Sequence, residues 1–220
     1  MCDVMSNKSV KIKLCGLRRK EDTEIANRVC PDYIGMVFAE KSRRCVSLED
    51  AVRLSSALSE GIIPVGVFVN MPLKEAAKYA SAVRVFQLHG DEDEEYIRRL
   101  RELIPEQCEI WKAVRVRTPK DIAAADEYSC DKLLLDAFSA KEYGGTGKRF
   151  DISLIKEKPK KPFFVAGGVS ADNILEIYKD IQRFEPYGFD LSSSVETDGY
   201  KDEKKVSALM EIVRGGINNV

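Results

Sequence analysis

The feature that most constrains this chain is its rhythm. Eight times, a short apolar run rich in β-branched or aromatic residues is followed by a longer polar stretch. In most of those stretches apolar residues recur at helical spacing. The short runs are residues 11–15, 33–38, 63–69, 83–88, 109–116, 132–136, 162–166 and 189–192. The stretches after them are predicted helices, including 48–58, 73–80, 92–103, 150–156, 171–181 and 201–213. One more is opened by Thr118-Pro119, a good N-cap followed by a proline at the first helical position. The runs do not alternate cleanly between polar and apolar, as expected for parallel strands covered by helices. Eight such units in 220 residues predict an α/β fold, a single-domain (β/α)8 TIM barrel over 1–220, with 1–9 a short N-terminal extension. The structural alternative is a doubly wound open sheet. Its dinucleotide fingerprint would follow the first strand, where the chain instead reads Leu14-Cys15-Gly16-Leu17-Arg18-Arg19.

Composition narrows the function classes. Hydrophobic residues make up 44% and charged residues 32%, enough apolar material for a core and too much for a disordered chain. The formal charge of −1 gives no basic excess for nucleic acid to bind. The longest apolar runs, such as 62–69, fall far short of the about 20 residues a membrane span needs. No apolar segment follows a basic start at the N-terminus, so no secretory leader is expected and the predicted location is cytoplasmic. The six cysteines, at 2, 15, 30, 45, 108 and 130, form no CxxC pair, so reduced thiols are expected rather than zinc or a disulfide framework. A lone histidine, His89, rules out a multi-histidine metal site, and no cofactor motif is present.

In a (β/α)8 barrel the chemistry lies at the C-terminal ends of the strands. Gly167-Gly168 after the seventh strand and Ser192-Ser193 after the eighth are read as a phosphate site: glycine admits close backbone approach, and amides at a helix start donate to anions. The bland reading is two tight turns. Residues 142–149 fail the P-loop pattern, and the glycine-rich stretch 140–149 is read as a mobile loop that folds over a substrate. Cys15 and Asp136 end the first and sixth strands, whose backbones face each other across about 13 Å in an eight-stranded barrel. They are either an acid/base pair flanking one sugar ring, or a buried small hydrophobe and a helix cap. Arg43 and Arg44 are either a carboxylate clamp or surface charge. His89 is read as a structural or substrate-touching residue, since no GxSxG elbow accompanies it.

These residues resemble a family. The segments Lys13-Leu14-Cys15-Gly16-Leu17, Gly35-Met36-Val37-Phe38-Ala39, Lys41-Ser42-Arg43-Arg44, Gln87-Leu88-His89-Gly90-Asp91, Leu135-Asp136-Ala137, Gly144-Gly145-Thr146-Gly147-Lys148, Ala166-Gly167-Gly168-Val169 and Asp190-Leu191-Ser192-Ser193-Ser194-Val195-Glu196 are similar, in order and spacing, to phosphoribosylanthranilate isomerase of tryptophan biosynthesis. The resemblance implies an Amadori rearrangement of N-(5-phosphoribosyl)anthranilate to the carboxyphenylamino-deoxyribulose phosphate, with no cofactor and no metal. It implies Asp136 as general acid, Cys15 as general base and Arg44 as the partner of the anthranilate carboxylate. Gly167, Gly168, Ser192 and Ser193 are then the phosphate site. Asp136 must hold its proton and Cys15 must release its own, so a bell-shaped pH–rate profile is expected. One position departs: Ser194 stands where the family carries glycine, which would strain a backbone with φ > 0 or crowd the phosphate. The alternatives are the related histidine-pathway aminosugar isomerase, which resembles a two-aspartate pair, and a phosphate-binding barrel without turnover.

Overall fold

The computed structural model describes residues 10–137 and 149–217. Eight parallel strands close on themselves in sequence order. They are β1 (Lys11–Cys15), β2 (Tyr33–Val37), β3 (Ile63–Phe68), β4 (Val85–Leu88), β5 (Glu109–Val116), β6 (Lys132–Ala137), β7 (Phe163–Val165) and β8 (Gly188–Leu191). Closure is set by register: Lys13 lies opposite Asp190 between β1 and β8, and Arg115 opposite Asp136 between β5 and β6. The outer ring contains α1 (Lys20–Val29), α2 (Leu48–Ser56), α3 (Leu73–Ala77), α4 (Glu94–Leu103), α5 (Pro119–Ala125), α6 (Ile174–Ile181) and α7 (Glu203–Ile212). Helix starts follow the capping rules. Ser47 Oγ accepts from Asp50 N at 3.0 Å, and α5 begins at Pro119 with Asp121 accepting from Thr118 N at 2.8 Å. Among the described residues no helix is long and apolar enough to cross a membrane.

Side chains alternate between the two faces of each strand, which makes two cores. The outward set packs under the helices, from Ile12, Leu14, Met36, Phe68 and Phe86 round to Phe163, Phe189 and Leu191. The inward set fills the barrel: Tyr33, Val65, Val85, Trp111, Ala113, Leu134, Phe164 and Ala166. The rings of Trp111 and Phe164 stack at 4.7 Å, and Tyr33 meets Trp111 edge-on at 4.9 Å. This aromatic floor closes the N-terminal end and leaves the opposite end for polar groups.

Three expectations change. The helix expected over 150–156 is a single 3-10 turn, Ile152–Leu154, because Asp151 and Leu154 close a short turn that goes no further. Ahead of α7 the chain inserts a two-stranded hairpin, β9 (Glu196–Thr197) and β10 (Tyr200–Lys201), so Lys201 is in a strand and not in the last helix. The cysteines are not all reduced: Cys30 is disulfide-bonded, while Cys15, Cys45, Cys108 and Cys130 are free. Residues 1–9 and almost all of the expected covering loop, residues 140–149, lie outside the described residues.

Candidate active site

Strand parity places the acid/base candidates on the inner wall of one mouth. Cys15 is the last residue of β1, and Asp136 stands one before the end of β6. Both are buried. Asp136 is held by one hydrogen bond and approached by the one histidine, whose Nε2 has no hydrogen-bond partner. Its Oδ1 accepts from the Ala137 amide at 2.7 Å, and its Oδ2 lies 3.3 Å from His89 Nε2. His89 is fixed in turn by Gln87, whose amide nitrogen is 2.9 Å from Nδ1. Donation from that amide to Nδ1 leaves the neutral ring's proton on Nε2, the side of Asp136. His89 is therefore a neighbour of the carboxyl group.

Gly167 is required by the same carboxylate. Its φ is +82°, and a Cβ there would stand 2.9 Å from Asp136 Oδ1 and 3.0 Å from the Ala137 amide nitrogen. Gly168 follows at φ +67°, so two successive left-handed glycines turn the chain after β7. Asn173 braces that turn, accepting from Ser170 N at 2.9 Å and donating to Gly168 O at 2.8 Å. Across the β8–β1 seam, Ser192 Oγ donates to Cys15 O at 3.2 Å. Ser193 is exposed at the start of the 3-10 turn Ser193–Val195. Ser194 lies in that turn and is not among the described residues with positive φ, so it does not carry the strain expected of a serine in a glycine position. Its hydroxyl is buried without a hydrogen-bond partner.

Arg44 is bound to a partner that sequence reasoning missed. Its Nε and Nη2 donate to the two oxygens of Glu196 at 2.8 and 2.7 Å, a buried bidentate pair. Lys201 Nζ reaches the same carboxylate at 2.9 Å, and Arg43 only approaches it at 3.7 Å. Burial pushes the Glu196 carboxyl up, but Arg44 and Lys201 together hold it below its ordinary value. A Cβ at Gly16, where φ is +92°, would collide with the Arg44 side chain, so Arg44 crosses the backbone immediately after Cys15. Beneath Cys15 lies a second missed pair, Lys13 Nζ to Asp190 Oδ1 at 2.8 Å. Among the described residues no three His, Cys, Asp or Glu side chains are grouped to hold a metal ion.

Residues 12–212 match the family model for N-(5'-phosphoribosyl)anthranilate (PRA) isomerase. The chain is 42% identical over 209 residues to the N-(5'-phosphoribosyl)anthranilate isomerase of Thermoanaerobacter pseudethanolicus, covering 94% of this chain and 98% of that one. The chain belongs to the PRA isomerase family. The crystal structure of the Thermotoga maritima family member superposes with a TM-score of 0.80 at 31% identity, over 94% of this chain and 99% of that one. Another solved family structure holds reduced 1-(o-carboxyphenylamino)-1-deoxyribulose 5-phosphate; it matches with a TM-score of 0.78 at 31% identity, over 94% and 99% of the two chains. This protein is thus an enzyme, an isomerase of tryptophan biosynthesis on a (β/α)8 barrel. The two-aspartate expectation for the histidine-pathway relative fails at the first strand, where the residue is Cys15.

Proposed function

We propose that Asp136 and Cys15 carry out the Amadori rearrangement of N-(5'-phosphoribosyl)anthranilate in this mouth. The observation that carries the reading is that a carboxyl group and a free thiol stand at the C-terminal ends of β6 and β1, within one residue of each end, on the inner wall of the same opening, both buried. Asp136 gives its proton to the ribose ring oxygen. The C1–O bond breaks as the anilino nitrogen lone pair moves in, leaving a protonated Schiff base. Cys15 thiolate then takes the C2 proton, and the C–H electrons neutralise the iminium as an enolamine, which tautomerises to the ketone. The substrate is isomerised, and one proton has moved from carboxyl to thiol.

The remaining polar groups supply orientation. Arg44, held through Nε and Nη2 by Glu196, keeps its Nη1 edge for the anthranilate carboxylate. The double-glycine turn Gly167-Gly168 and the Ser192-Ser193 segment receive the phosphate through backbone amides and hydroxyls. His89 steadies Asp136 beside the sugar.

The test follows the loss of phosphoribosylanthranilate fluorescence with wild type, Cys15→Ala and Asp136→Asn, each checked for folding by circular dichroism. Each variant is expected to lose about 10²- to 10⁴-fold in kcat, the range for removing a general acid or base. Retained turnover in folded Asp136→Asn removes that residue as the acid. A wild type that binds without turnover overturns the catalytic reading and leaves a phosphate-binding barrel.

A further inference from the structure

We propose that Lys13 is the positioning residue that keeps Cys15 able to act as a base, with Asp190 pinning its ammonium group. This rests on the reading of Cys15 as the base. Lys13 is fully buried on the inner face of β1, one inward step below Cys15. The Asp190 carboxylate meets it at 2.8 Å across the β1–β8 seam. The thiol is its other neighbour. A Cβ at Gly35 would stand 2.7 Å from Cys15 Sγ and 3.2 Å from Lys13 Nζ, so both atoms converge on the one position of β2 that lacks a side chain. Gly35 is what makes room for that meeting.

Stability does not explain the pair. Replacing a buried ion pair by packed hydrophobes is often neutral or stabilising, and Tyr33, Val65, Val85 and Leu134 fill the barrel interior without charge. The other charges facing Cys15 are already engaged. Lys201 of β10 donates to Ser192 O at 3.1 Å and to Glu196, and Arg44 is bound to Glu196. Asp190 is bonded to Lys13 and also interacts electrostatically with Asp136 and His89. Burial pushes the Cys15 thiol up and leaves it above its ordinary value; Lys13 is the strongest influence drawing it back, opposed by Asp190 and helped by Lys201. Burial likewise pushes the Lys13 ammonium toward losing its proton, but Asp190 and Cys15 hold it above its ordinary value. An ammonium held charged beside the sulfur stabilises the thiolate needed before proton abstraction.

The test is the pH dependence of iodoacetamide alkylation at Cys15, read on its peptide by mass spectrometry for wild type, Lys13→Met and Lys13→Arg. Exposed Cys45 is the internal reference. In Lys13→Met the Cys15 inflection is expected to rise by about 1–3 pH units, the usual effect of losing an adjacent opposite charge. The acidic limb of kcat/KM should move with it, Lys13→Arg should restore most of the shift, and Cys45 should not move. A folded Lys13→Met whose Cys15 inflection coincides with wild type overturns the proposal. Should Lys13→Met not fold, reciprocity gives a second route, since coupling between two proton sites acts equally on both. In 15N-lysine-labelled protein, Cys15→Ser must make Lys13 release its proton at lower pH than wild type; an unchanged titration overturns the proposal. Wild type that shows the coupling yet turns over no phosphoribosylanthranilate overturns the reaction reading and leaves the coupling standing.

Discussion

Charge inside this barrel is held in partnerships, and each has a measurable consequence at a single residue. Glu196 is the clearest case. Its carboxyl lies below its ordinary value because Arg44 and Lys201 outweigh the cost of burying it. A carboxyl depressed in the folded state contributes stability that is full above its unfolded value, about 4.3, and is lost as pH falls through the folded value. Urea midpoints measured from pH 6 down to pH 3 should therefore fall more steeply in wild type than in Glu196→Gln, and parallel curves would refute the assignment. At pH 7 the variant should be less stable by about 3 kcal/mol, since Arg44 and Lys201 lose a buried countercharge. Its KM should rise as Arg44 loosens. Gly167 sets a second constraint. An alanine there meets Asp136 Oδ1 and keeps φ at +82°, which costs about 1–3 kcal/mol. Gly167→Ala should lower kcat together with the melting temperature, and an unchanged kcat would show that Asp136 tolerates displacement. Cys15, Asp136 and Gly167 were legible in the sequence because they end strands or follow them. Lys13, Asp190 and Glu196 were not. Lys13 and Asp190 are 177 residues apart and meet only because the barrel closes. The one available signal was a lysine and an aspartate standing inside otherwise apolar strands.

At the scale of elements, strand order was legible and loop detail was not. The eight apolar runs became the eight strands with ends within about two residues, because each must be buried on both faces to exist. The hairpin β9–β10 escaped, although Asp198-Gly199 is the dipeptide of a tight hairpin turn and both residues have positive φ. Its two-residue strands are too short to show a period. Its role is specific: it turns Lys201 back under Glu196, bringing an ammonium that the helical reading would have left in α7. Helix starts obey local chemistry and are predictable one by one. Ser47→Ala removes the hydroxyl that caps α2, which costs about 1 kcal/mol. In a chain of this size the melting temperature should drop by about 2–4 °C with kcat unchanged. Loss of activity would mean that α2 positions Arg44 more directly than its contacts indicate.

The whole molecule separates stability from chemistry along the barrel axis. Reactive groups stand at the C-terminal ends of the strands, while the opposite end is closed by Tyr33, Trp111, Phe164 and Tyr187. That floor has its own polar fastening. Trp111 Nε1 donates to Glu109 Oε2 at 2.6 Å, Lys132 Nζ meets the same oxygen at 2.6 Å, and the Tyr33 and Tyr187 hydroxyls lie 3.0 Å apart. Burial lifts the Tyr33 hydroxyl well above the ordinary phenol range, with Tyr187 adding to the effect, so Tyr33 keeps its proton at any pH the enzyme meets. Residues of the floor can then carry stability without taking part in the chemistry at the mouth. Trp111→Phe keeps an aromatic ring in the stack but removes the bond to Glu109 and part of the buried area. It should cost about 1–3 kcal/mol in urea unfolding. At 25 °C, where most molecules remain folded, kcat/KM and the pH–rate profile should match wild type, because Trp111 packs in the floor while Cys15 and Asp136 stand at the mouth. A shifted profile in stable Trp111→Phe would show that the floor transmits to the mouth through Lys13 and the strands beside it, and the axial separation would have to be abandoned.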